Sequence, residues 1–201
     1  MNDYIPDEDL VLEPCDIFLT RGTGFVSNAI RRFTRSFGEK RTEANHVGII
    51  VERGSVHSAV AVEALTKVKR HPLGRYSKKG STCVAVFRPI NLTPEEKETI
   101  VAKANDYVDR PYGWMKIVTH LLDWGLQGAY VFRRLTNDDN YPICSWVVAH
   151  AFLAVGKDFD VDAAAASPDD IWDFVTEEDD KYMQARDLVP IPEPLSSMVP
   201  V

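Results

Sequence analysis

The stretch "HVGIIVERGSVHSAVAVEAL", His46–Leu65, decides the fold. Its first seven residues, His46–Glu52, are short, β-branched and apolar, which reads as a strand. Arg53-Gly54 marks a turn, and Ser55–Leu65 returns as the other arm of a hairpin. Working outward, "CDIFLT" (Cys15–Thr20) alternates like a strand. A short strand is expected around Val68, and another in "STCVAVFRP" (Ser81–Pro89). The first part of the chain is therefore built of strands.

Helical periodicity frames and follows this block. Val26, Ala29, Ile30, Phe33 and Phe37 recur at helical spacing, with Arg31, Arg32 and Arg35 on the other side as a solvated face. Thr93-Pro94-Glu95-Glu96 is a capping box with proline at the first helical position. "WMKIVTHLLDW" (Trp114–Trp124) is amphipathic. "ICSWVVAHAFLAV" (Ile143–Val155) is apolar nearly all round and so buried. Ser167-Pro168-Asp169-Asp170 opens a short last helix. Strands followed by helices imply an α+β domain. Residues 1–13 read as a polar arm, 14–187 as one domain, and 188–201 as a proline-rich extended tail.

The composition narrows the function. A chain of 201 residues with 45% hydrophobic content suits one domain with a substantial core. A formal charge of −7 argues against nucleic-acid binding and against docking on anionic membranes. The opening "MNDYIPDEDLVLEP" is acidic and unlike a signal peptide, and no apolar run reaches the length of a membrane span. Cys15, Cys83 and Cys144 are odd in number and widely spaced, as reduced thiols of a cytoplasmic protein are. The histidines form no cluster with them, so neither a metal site nor a cofactor is expected. "RGTGF" (Arg21–Phe25) is a lone GxG, a strand-to-helix turn rather than a phosphate loop.

Three residues carry a possible chemistry. Cys144 falls in the first turn of its helix, where free N–H groups and the helix dipole favour a thiolate. The same N–H groups suit an oxyanion. The alternative is a packing cysteine, as Cys15 and Cys83 are read within their strands. His46 opens a strand and can present its ring at the sheet rim as a base; otherwise it merely ends the strand. Gly48, on the same face, leaves room for a close neighbour. Glu63 interrupts "AVAVEAL", where a buried carboxylate needs a partner, unless the strand turns outward there. His57 is a second candidate for the residue that orients the base.

A cysteine helix, a histidine strand and a polar residue on the adjoining strand resemble the papain-like arrangement. With His46 ahead of Cys144, the order resembles the circularly permuted NlpC-type cysteine peptidase superfamily, in its YiiX-like branch. "CDIFLTRGTGFVSNAIRRFTRS" is similar to that family's opening strand and helix, with Cys15 where glycine is usual. "HVGIIVERG" and "VEAL" resemble its histidine and acidic strands. "RPYGW" resembles its tyrosine element, with Gly113 where an acidic residue is usual. "YPICSWVV" resembles its Cys-Ser helix start, with Trp146 where Glu is common, and "SPDDI" its Pro-x-Asp segment.

The resemblance implies a small antiparallel barrel-like sheet packed against helices. It implies Cys144 as nucleophile, His46 as base, Glu63 as the residue orienting the imidazole, and Tyr112 lining the substrate site. The activity implied is a cysteine-dependent amide hydrolase, a peptidase or amidase working through an acyl-thiol intermediate on a small peptide or amide. The alternatives are a lipid acyltransferase or thioesterase of the same fold, and a non-catalytic binding or virion accessory module.

Overall fold

A computed structural model describes residue 7 and residues 9–22, 43–78, 82–113 and 140–193. The expected helices around Val26–Phe37 and Trp114–Trp124 lie outside the described residues. In chain order the strands are β1 (Val11–Leu12), β2 (Ile17–Arg21), β3 (His46–Glu52), β4 (Gly54–Ser55), β5 (Val60–Ala64), β6 (Val68–Pro72) and β7 (Cys83–Pro89). Helices α1 (Pro94–Asp106), α2 (Cys144–Leu153) and α3 (Pro168–Glu177) follow, and β8 (Tyr182–Pro190) comes after them. A 3-10 turn, Leu73–Tyr76, joins β6 to β7. The class is α+β.

Six strands form one antiparallel sheet in the order β6-β5-β3-β2-β7-β8, and β1 pairs with β4 separately. The sheet is open, which corrects the expectation of a barrel-like closure. Its edges among the described residues are β6 and β8. β6 has the character of an edge strand: Lys69 and Arg70 are exposed, and Pro72, which cannot donate a ladder hydrogen bond, ends it.

Both faces of the sheet are apolar. Ile17, Leu19, Val47, Ile49, Val62, Ala85 and Phe87 pack in a core with Ile100 and Ala104 of α1 and with Trp146, Val147, Val148 and Phe152 of α2. Phe18, Ile50, Ala61, Val84 and Val86 lie in a second core with Leu10, Leu12, Val56, Leu73, Tyr76 and Ile191. A strand buried on both sides loses its polar alternation, and for this reason β3 reads as a continuous apolar run. Gly48 faces Phe18 in register, and a Cβ there would collide with the Phe18 ring and lie 2.9 Å from the Val62 carbonyl oxygen. The close neighbour that Gly48 makes room for is this ring.

The helix starts follow their sequence signals. Thr93 with Glu96, and Ser167 with Asp170, form complete capping boxes with a proline at the head of each helix. α2 differs: its N-cap residue is Ile143, which supplies no side-chain hydrogen bond.

The chain ends join the body more closely than the sequence suggests. Leu10 and Leu12 of the arm are buried. β8 crosses the boundary drawn at residue 188, pairing with β7 as far as Pro190. Its buried Arg186 donates from Nε and Nη2 to the Asp7 carboxylate, each at 2.7 Å, and from Nη2 to the Pro190 carbonyl at 2.9 Å. Among the described residues no helix is long and apolar enough to cross a membrane.

Candidate active site

Cys144 is the first residue of α2, and His46 is the first of β3. Helix α2 packs on the face of the sheet that carries Val47 and Ile49. His46 is one residue out of phase with these two, so its ring points toward the other face. Thiol and imidazole meet at the rim where β3 begins. The His46 side chain and the backbone N–H groups of Val47 and Ser145 are neighbours of the sulfur and favour its thiolate form. β3 thus supplies both a ring and an N–H to the thiol.

The other side of the imidazole is occupied by Glu63. His46 Nε2 meets Glu63 Oε2 across β3 and β5, leaving Nδ1 for the sulfur. Glu63 is completely buried, whereas the His46 side chain keeps 16% of its surface exposed. A strand that turned outward at Glu63 is therefore excluded. The structure brings together Cys144, His46 and Glu63 in that order.

Tyr112 joins them through its backbone. Its N–H donates to the Thr66 carbonyl at 3.3 Å, and the next N–H, of Gly113, donates to the Pro142 carbonyl at 3.1 Å. The segment is thereby tied both to the end of β5 and to the lead-in of α2. Its phenol is a neighbour of the Cys144 sulfur. Gly113 has a steric reason: a Cβ there would overlap the Tyr141 carbonyl oxygen and stand 3.4 Å from Ile143 Cγ2.

The charges follow from these contacts. Burial opposes a charged His46, but the Glu63 carboxylate and the Cys144 thiolate outweigh it and raise its pKa to about 10. Burial likewise opposes ionisation of Cys144, yet the His46 imidazolium and the two backbone N–H groups pull the thiol below its usual value. Glu63, despite its burial, is held well below the usual carboxylate range by His46 and His71. Burial and the neighbouring thiolate push the Tyr112 phenol up, so that it remains a donor. These shifts all act toward a thiolate–imidazolium pair backed by a carboxylate.

Other sequence candidates fall elsewhere. His57 lies in the turn between β4 and β5 rather than on the strand of Glu63, and its carbonyl accepts from the Gly74 N–H at 3.2 Å. The place beside Glu63 is taken by His71 of β6, whose Nε2 meets Oε1. Tyr76 adds its hydroxyl, donating to Oε2 at 2.6 Å. Sequence reasoning missed both, because only the β5–β6 pairing and the 3-10 turn that follows carry them to the carboxylate. Cys15 is fully buried with its thiol pushed up to about 12, while Cys83 is only half-buried at the head of β7. Cys15 has a φ of 75°, a backbone conformation suited to glycine. Among the described residues no group of three or more His, Cys, Asp or Glu is placed to hold a metal ion.

No family model matches the chain, and no curated protein matches it.

Proposed function

We propose that the chain is a cysteine-dependent amide hydrolase with a permuted papain-like arrangement, acting on a small peptide or amide. The observation that carries this reading is the alignment Cys144–His46–Glu63 at the uncapped start of α2. A thiol serving only as packing has no need of an imidazole, two backbone N–H groups and a phenol around its sulfur.

In this reading the Cys144 thiolate attacks the carbonyl carbon of the amide and forms a C–S bond. The carbonyl electron pair moves onto oxygen. N–H groups at the start of α2 and the Tyr112 hydroxyl support that oxyanion. As the tetrahedral species collapses, the C–N bond breaks and the His46 imidazolium gives its proton to the leaving amine. Neutral His46 then takes a proton from water, whose oxygen attacks the acyl-thiol. The acid leaves, and the thiolate–imidazolium pair returns. Glu63 stays ionised throughout and holds the ring.

The test incubates the protein with short peptide amides and, separately, with acyl thioesters and phospholipids, with Cys144→Ala as control. Turnover of the amides by the native protein alone is expected. Cys144-dependent turnover of only the thioesters or lipids would move the assignment to an acyltransferase or thioesterase. Turnover of neither, with an unreactive thiol, would make the chain a binding module.

A further inference from the structure

Glu63 is shared between two imidazoles, and only one of them faces the thiol. The carboxylate is completely buried, so each oxygen needs a donor. His46 of β3 and the Tyr76 hydroxyl both address Oε2. His71 of β6 addresses Oε1. Arg75 Nη1 stands 3.7 Å from that same oxygen, beyond hydrogen-bond distance. Lys69 is the register partner of Glu63 on β6, but it is exposed. With Cys144 beyond His46, these are the titratable and charged groups that face the carboxylate from the strands, the 3-10 turn and α2.

Resting on the cysteine-hydrolase reading, we propose that His71 is a positioning residue of the active site: by donating to Oε1 it fixes the rotation of the Glu63 carboxylate, so that Oε2 faces His46. The register supports this. His71 pairs with Ala61, two residues from Glu63 on the same face, the diagonal relation that long side chains bridge. The ring is itself held, with Nδ1 3.0 Å from the Pro72 carbonyl oxygen and its centroid 6.4 Å from that of Tyr76 in an edge contact. Its side chain is only 12% exposed.

The consequence reaches the thiol. Without the His71 donor, Oε1 lacks its hydrogen bond and the anionic form of Glu63 is less favoured. His46 then loses counter-charge and orientation, and its imidazolium stabilises the thiolate less. His71 touches no reacting atom, so its effect must be read at Cys144.

The experiment follows alkylation of Cys144 by iodoacetamide from pH 5 to 10 in the native protein, His71→Leu and His71→Gln, with the site assigned by mass spectrometry. In His71→Leu the acid-side midpoint is expected to rise by about one pH unit, so that the rate at pH 6 falls on the order of tenfold. In His71→Gln, whose amide N–H still reaches Oε1, the rate at pH 6 returns to within about threefold of native. A residue that merely packs would change melting temperature without moving this midpoint. An unmoved midpoint in folded His71→Leu, or an equal shift in both variants, overturns the proposal. If His71→Leu does not fold, His71→Asn replaces it, since the shorter amide falls short of Oε1 and must show the shift. Failure of the hydrolase reading looks different: the native thiol would itself behave as an ordinary one.

Discussion

His46 and Cys144 reach each other around one rim of the sheet, the imidazole from the head of β3 and the thiol from the head of α2. Neither residue leaves its element to do so. The sulfur sits where a helix start and a strand start converge, with N–H groups from both. Because the partners stand on regular elements, their separation depends on packing of α2 against the sheet rather than on a loop.

The thiol should therefore ionise at a lower pH than an unpaired cysteine. An unpaired cysteine gains reactivity about tenfold per pH unit up to a pKa near 8.5. Cys144 lies below the usual value through His46. Its alkylation rate should level off at a lower pH than that of an unpaired cysteine. His46→Ala removes the largest influence that opposes burial, and the rate at pH 7 should drop by on the order of tenfold or more. A Cys144 rate that levels off no earlier than that of an unpaired cysteine would remove the ion pair.

Cys144→Ala and Cys15→Ala should separate chemistry from packing. Cys15 lies wholly in the core, and its Sγ is 3.6 Å from the Lys97 carbonyl oxygen. Truncating it leaves a small cavity, costing on the order of 1 kcal/mol and a few degrees of melting temperature. Activity should survive. Cys144→Ala should abolish turnover and lower the melting temperature less. The reverse pattern, with activity kept by Cys144→Ala, would make Cys144 the packing residue. The half-buried Cys83 should show little of either effect.

Much of this site is legible in the sequence because its parts carry local signals. His46 heads an apolar strand, Glu63 breaks one, and Cys144 follows a proline at a helix start. What escapes is information that exists only after pairing. His71 sits in "VKRHPLGRY", a run with no apolar alternation, and acquires meaning only when β6 lies against β5. β8 escapes for a related reason. Register shifts against β7 between Val84 and Val86, and between Val86 and Phe87, break the two-residue period. The buried Arg186 interrupts it further, and its partner Asp7 lies at the other end of the chain. The open sheet was hidden too, since closure depends on what stands beside the edge strands.

The Glu63–His46 pair should leave a two-sided mark on stability. Glu63 is depressed from 4.5, so its contribution is present above that value and is lost as pH falls below it. His46 is raised from 6.5 to about 10, so its contribution is complete below 6.5 and is lost as pH rises through about 10. Melting curves of native protein and Glu63→Gln should differ most between about pH 4.5 and 6.5, and converge toward both ends. Breaking a buried pair from one side costs roughly 3–5 kcal/mol. The amide still accepts from the ring, so Glu63→Gln should keep some activity, whereas His46→Ala should keep almost none. A stability difference that stays constant with pH would mean the pair is not ionic.

Gly113→Ala tests whether Tyr112 is held in place for chemistry. The added methyl would overlap the Tyr141 carbonyl oxygen, which is backbone and cannot swing aside like a side-chain end. Either the segment Pro111–Gly113 or the lead-in Tyr141–Ile143 must retreat. The Gly113 N–H bond to the Pro142 carbonyl, 3.1 Å long, is the first contact to go. Cys144 begins α2 only two residues beyond Pro142, and the helix itself is anchored in the core by Trp146 and Phe152. The retreat should thus fall mainly on the Tyr112 side and draw the phenol away from the sulfur. The thiolate depends chiefly on His46 and the backbone N–H groups, so alkylation of Cys144 at pH 7 should change by less than about threefold. Turnover of an amide, which calls on the phenol at the oxyanion, should fall by roughly 10²-fold, the scale for losing one oxyanion donor. Tyr112→Phe should reproduce this split without any steric insertion. Equal losses in alkylation and turnover for Gly113→Ala would show that the substitution displaces Cys144 itself. Unchanged turnover in Tyr112→Phe would take the phenol out of the reaction.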